Sequence, residues 1–129
     1  VVHDIVTFGQ EVLRHKAKPV KAVTKETKTL VRDLLDSMYA ARGVGLAAEQ
    51  IGHEEAVCVI DVPAESEKPE CVAVNTAIPM PLVLINPVIT ANTGQQRNDE
   101  GCLSFPDINV PITRAMQVTL TYLDLDGKQ

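Results

Sequence analysis

Between residues 24 and 42 the apolar positions recur at Leu30, Val31, Leu34, Leu35, Met38 and Tyr39, the i, i+3, i+4, i+7 stripe of a half-buried helix. A hydroxyl of Thr24 or Thr27 can cap its start, and Gly43 is placed to stop it. Elsewhere the pattern is that of strands. EAVCVIDV (55–62) is a short β-rich run in which Cys58 reads as core filler. LVLINPVI (82–89) is a second strand, bent or ended at Pro87. MQVTLTYLDL (116–125) alternates, with Val118, Leu120 and Tyr122 on one buried face. The first twenty residues read as an extended arm with a turn near Gly9, and residues 63–81 as a long proline-containing surface loop that carries Cys71 incidentally. Strands and one helix without a βαβ rhythm make an α+β chain, with small antiparallel or mixed sheets packed around the helix.

Asp126-Gly127 is a hairpin signal, yet only two residues follow it. With nothing to pair against, the expectation is a single domain, 1–129, that lacks its carboxyl-terminal part; a start at Val1 instead of methionine points to trimming or processing. Four aromatics (Phe8, Tyr39, Phe105, Tyr122) leave the core to Val, Leu, Ile and Ala. The net charge of −5 argues against nucleic acid held by bulk electrostatics. Residues 11–32 are a local exception, with Arg14, Lys16, Lys18, Lys21, Lys25, Lys28 and Arg32 against Glu11 and Glu26; a solvated face explains them, or a docking patch for something anionic. The three cysteines form no C-x-x-C pair, as expected of reduced thiols in the cytoplasm. No apolar run reaches transmembrane length, and no signal peptide is visible.

Two stretches carry candidate chemistry. In GVGLAAEQIG (43–52), Gly43 and Gly45 allow positive φ and close approach of another chain, and Gln50 offers uncharged amide N–H donors in an apolar setting. It is no phosphate loop, because G-x-x-x-x-G-K-[ST] is absent. In DEGCLSFPD (99–107), Cys102 sits among glycine, proline and carboxylates, where a packing cysteine does not belong. As a nucleophile it needs a base, and as a metal ligand at least two further ligands. His3, His15 and His53 are isolated in sequence, and a buried Glu100 would need Arg114 or Arg97 as its cation.

GVGLAAEQ followed by EGCLS resembles the first two signature motifs of peptide deformylases. LRHKAKPV, VIDV, LINP and VPITRAMQVTLTYLDLDGK agree, so the resemblance runs along nearly the whole chain, with a longer loop from Pro63 to Pro81. The resemblance implies a metal-dependent hydrolase that removes the N-formyl group from the formylmethionine of new polypeptides, by metal-hydroxide attack on the formyl carbonyl. It implies Fe(II), with Zn(II) or Ni(II) possible, and Cys102 as sulfur ligand. Gln50 and the N–H of Leu103 would face the oxyanion, and Val44, Gly45 and Gly101 the peptide. The partners implied are N-formylmethionyl peptides and nascent chains, with no nucleic acid and no membrane. Bound metal lowers the pKa of its water toward neutrality, and each preorganised oxyanion donor contributes about 2.7–4 kcal/mol. The third family motif, H-E-x-x-H, does not occur in the 129 residues. Two histidine ligands and the catalytic glutamate are therefore missing, and the chain alone is expected to be inactive. The alternatives are a naturally short, non-catalytic module that keeps the peptide groove, and a cysteine hydrolase acting through Cys102.

Overall fold

The computed structural model describes residues 1–62 and 78–129. Most of the expected surface loop, and Cys71, lie outside the described residues.

Helix α1 spans Lys25–Ala40. Thr24 Oγ1 accepts from the Thr27 N–H at 3.4 Å while Thr27 Oγ1 accepts from the Thr24 N–H at 3.2 Å. Satisfying two otherwise orphaned donors in this way stabilises a helix start by about 1 kcal/mol. At the far end Arg42 takes the left-handed conformation (φ 59°), and the Gly43 N–H donates to the Met38 carbonyl at 2.9 Å. The residue that breaks the helix is thus Arg42, one position before the glycine expected to do so. Neither Gly43 nor Gly45 has a positive φ, contrary to expectation. What Gly43 supplies is space: a Cβ there would lie 2.8 Å from Leu103 Cδ1.

Six strands form two sheets among the described residues. β1 (Gly45–Ala47), β2 (Val57–Ile60), β3 (Leu82–Thr93) and β6 (Gln117–Leu123) make a four-stranded sheet in the order β1-β2-β3-β6. β4 (Gln96–Cys102) and β5 (Phe105–Arg114) make a separate hairpin. Every named pair is antiparallel, which narrows the expected mixture; the one parallel element among the described residues is an isolated bridge from Lys18 to Glu55. β3 does not end at Pro87. It runs on to Thr93 through a register shift between Ile85 and Val88, where Asn86 has φ 52°. The shift tolerates a residue that has no N–H to give the ladder.

The core lies between α1 and the β1-β2-β3 end of the larger sheet. Leu34 and Met38 meet Leu46, Val57, Val59 and Ile85, and β2 alternates as a one-sided strand should, with Val57 and Val59 inward. Beyond Ile85 the β3-β6 ribbon leaves the helix behind. Val88, Ile89 and Val118 are exposed, while Leu123, on the face opposite to the one expected inside, packs against the core. Leu120 and Tyr122 are half-buried. The alternation in β6 was real; which end of it meets the helix was a tertiary matter.

The amino-terminal arm is tied down at several points. Asn86 accepts from the Val20 N–H and donates to the Val20 carbonyl, both at 2.7 Å. Lys18 Nζ lies 2.9 Å from Glu54 Oε2, and His15 Nδ1 lies 3.0 Å from Glu54 Oε1. The His15 hydrogen bond to Glu54, with a smaller contribution from Glu11, raises the His15 pKa above its ordinary value.

Two outcomes follow from this packing. Leu34→Ala empties a site with no solvent exposure, and urea unfolding is expected to show a loss of about 2–5 kcal/mol. Because the folded-state pKa of His15 is raised, its contribution is fully present below the unfolded-chain value of about 6.5 and is lost as pH rises through the folded value. An NMR titration should place His15 above that value, and Glu54→Gln should bring it back.

Candidate functional site

The two motifs, far apart in sequence, meet along one groove of about 660 Å³. Arg42, Val44, Gly45 and Gln50 line one wall and Gly101, Cys102 and Leu103 the other, so all six of the expected site residues reach it. A larger groove of about 730 Å³ lies at the start of α1. It gathers charged chains such as Lys21, Lys25 and Glu55 with His53, but no thiol and none of the expected site residues.

Local structure explains the first wall. After α1 the chain makes β1, an edge strand whose open side faces away from β2. A single 3-10 turn, Ala48–Ile51, follows, closed by Gly52 in the left-handed region (φ 85°). Here glycine is required for its backbone conformation, as Gly43 and Gly45 are not. Gln50 lies inside this turn and folds back on it: its Oε1 accepts from the Ala47 N–H at 3.1 Å.

The second wall is a hairpin tip. RNDEG (97–101) has neither alternation nor strong β propensity, so its local pattern does not predict a strand. Pairing along β4-β5 overrides that. Cys102 pairs with Phe105, leaving Leu103 and Ser104 as the connecting residues. Between Gly101↔Asn109 and Cys102↔Phe105 the register shifts, and Asp107 takes φ 63° to absorb the extra residues of β5. A Cβ on Gly101 would lie 2.7 Å from Asn109 Oδ1.

Between the walls, Gln50 Nε2 donates to Ser104 Oγ at 3.2 Å and approaches Cys102 Sγ at 3.6 Å. Ser104 is 3% exposed and was missed in the sequence, where a serine beside a prominent cysteine carries no signal of its own. The arm spans the junction, with the Val6 N–H donating to the Gln50 carbonyl (2.7 Å) and the Phe8 N–H to the Ser104 carbonyl (2.8 Å). The Phe8 and Phe105 rings pack with centroids 5.0 Å apart, tilted by 32°.

Cys58, expected as core filler, is instead half-buried on the face of β2 opposite Val57 and Val59. Cys102 is exposed in the groove, whereas burial pushes the Cys58 thiol above its ordinary pKa. Glu100 is half-buried and held by Arg114, whose Nε lies 2.9 and 2.6 Å from its two oxygens; that bond keeps the Glu100 carboxyl below its usual range. Arg97 is not its partner. The histidines do not join the site. His3 bonds Asp33, His15 bonds Glu54, and His53 lies 3.5 Å from Glu55. Cys102 therefore has no imidazole base in the groove. Nor does any group of three His, Cys, Asp or Glu gather to hold a metal among the described residues.

The family model for polypeptide deformylase matches residues 2–129. A peptide deformylase of Nitrosococcus oceani is 42% identical over 126 residues, 98% of this chain and 68% of that protein. The crystal structure of peptide deformylase from Ehrlichia chaffeensis superposes with a TM-score of 0.87 at 31% identity, covering 99% of this chain and 72% of that one. A peptide deformylase from Synechococcus elongatus, solved in complex with actinonin, gives a TM-score of 0.83 at 34% identity, over 98% of this chain and 62% of that one. Among the described residues no helix is long and apolar enough to cross a membrane.

In a Cys71→Ser background, iodoacetamide should modify Cys102 at least about tenfold faster than Cys58 at neutral pH. Peptide mapping by mass spectrometry reads the ratio, and equal rates would mean that strand β2 opens as readily as the groove.

Proposed function

The chain belongs to the polypeptide deformylase family, and we propose that its groove serves the removal of the N-formyl group from N-terminal formylmethionine of newly made polypeptides. The supporting observation is the convergence of the Gln50 amide, the Leu103 backbone and the Cys102 thiol on one groove beside an edge strand. In the reaction water adds to the formyl carbon, the carbon–nitrogen bond breaks, the amine leaves with a proton, and formate is released.

Each residue of the groove has a task in that hydrolysis. Negative charge builds on the formyl oxygen, and Gln50 Nε2–H with the Leu103 N–H donate to it. Each such donor is worth about 2.7–4 kcal/mol in the transition state. An uncharged amide suits the task because it does not hold the ground-state carbonyl as a full charge would. β1 takes the peptide as an added strand through Gly45, since an edge strand presents unpaired backbone groups. Val44 faces the methionine side chain, and Gly101 leaves room beside Cys102. The free thiols of Cys58 and Cys102 suit a reducing compartment such as the cytoplasm.

The divalent metal of the family, when bound, supplies water of lowered pKa. Cys102 offers it one sulfur ligand, whereas catalytic sites of this kind use three protein ligands and keep a position open. The described residues gather no group of three, and the 129 residues contain no H-E-x-x-H. The ligand set present does not fit a metal on its own, so these residues by themselves are expected to be silent.

Fused to a segment carrying H-E-x-x-H, the chain is expected to bind Fe(II) or Zn(II) and to release formate from formyl-Met-Ala-Ser. In that protein Cys102→Ser should weaken metal binding by at least about 10–100-fold, the range seen even for residues that only support ligands. Equal metal affinity with serine would remove Cys102 from the ligand set. Peptide binding without formate release in the fused protein would favour the non-catalytic reading.

A further inference from the structure

Ser104 is the polar side chain at the junction that the proposed chemistry leaves unused. It sits on a hairpin connection, where serines are usually solvated, yet it is 3% exposed. Its Oγ lies 3.2 Å from Gln50 Nε2, and the other end of that carboxamide accepts from the Ala47 N–H at 3.1 Å. The Ala47 contact settles which end is oxygen, because the reversed amide would set one donor against another. The two N–H groups of Gln50 are therefore directed at Ser104 Oγ and, at 3.6 Å, toward Cys102 Sγ.

These two contacts are unequal. A hydroxyl oxygen is a good acceptor and sulfur a weak one. The backbones at both ends are also clamped, since the arm donates to the Gln50 carbonyl from Val6 and to the Ser104 carbonyl from Phe8. We propose that Ser104 is a positioning residue that holds one N–H of Gln50, so that the other stays aimed into the groove beside Cys102, free to turn from sulfur to the oxygen of a bound formyl group. Without the serine the carboxamide is held at its oxygen end alone, by the Ala47 N–H, and part of the donor's preorganisation is lost. The inference rests on the reading of Gln50 as donor to the formyl oxygen, but the hydrogen bond itself can be tested without metal, substrate or turnover.

The test is the exchange with water of the Gln50 side-chain N–H protons, followed by NMR on the ¹⁵N-labelled chain. The signals are identified by their disappearance in Gln50→Met, and the exposed Gln10 serves as internal reference. At least one Gln50 proton should exchange about tenfold or more slowly than those of Gln10, and Ser104→Ala should bring it within about twofold of them. Ser104→Thr, which keeps the hydroxyl, should preserve the slow exchange. Should Ser104→Ala fail to fold, Ser104→Cys keeps the volume, weakens the acceptor and must speed the exchange likewise. Gln50 protons that exchange as fast as those of Gln10 in the unaltered chain, or that stay slow once the hydroxyl is gone, overturn the proposal. Absence of formate release from the fused protein leaves these rates untouched, so the two ideas fail separately.

Discussion

The seating of the Leu103–Ser104 hairpin tip against Gly43 and Gln50 is the constraint on which the site depends. Two segments that are remote in sequence present a thiol and an amide to the same space only because the tip can come close enough. Glycine at position 43 eases that closeness, since a Cβ there would lie 2.8 Å from Leu103 Cδ1 and the leucine side chain would have to shift. The closeness also requires that a buried hydroxyl at the tip find a partner, and the Gln50 amide is that partner. Apolar contact and polar satisfaction act at adjacent residues of one turn. The first brings the walls together and the second sets the angle of the amide between them.

Behind this contact stands the packing of α1. Helix, left-handed exit at Arg42, β1 and the 3-10 turn follow one another with no slack, so the register of the helix against the sheet determines where Gln50 stands. Side chains such as Leu34, Met38, Val59 and Ile85, all but inaccessible to solvent, hold that register. Each is worth about 1.5–3 kcal/mol of burial. The exposed pairs that tether the arm, Lys18 and His15 with Glu54, are screened by solvent and contribute little beside them. The core therefore decides the geometry, and the ion pairs trim the arm that crosses it. The arm matters to the site through its backbone, which donates once to each motif.

The walls of the groove carry the Gln50 amide, glycines that leave main chain accessible, one cation (Arg42) and one carboxylate (Asp107). The histidines are engaged with carboxylates elsewhere, His3 with Asp33 of α1 and His15 with Glu54, and Glu100 of β4 is held by Arg114. The basic residues between Arg14 and Arg32 face solvent around the arm and the start of α1, away from the thiol, with Lys18 tied to Glu54.

Local patterning was enough to read α1 with its Thr24–Thr27 cap, the cores of β2, β3 and β6, and the two motifs, because each is a statement about neighbours within one turn or one pleat. Cys102 was legible as a groove residue and not a packing one, because a cysteine among glycine, proline and carboxylates has no packing explanation. The sequence by itself determined these elements and the chemistry they could carry. The tertiary structure alone decided that polar residues 96–102 form a strand, since pairing with β5 outweighs weak propensity. It decided that β3 runs past Pro87 through a bulge, that Leu123 and not Val118 meets the core, and that Gly43 is there for contact instead of conformation. It also brought Ser104 to Gln50, a pairing invisible to any local pattern, because it exists only once a hairpin tip has been buried against a turn 54 residues away.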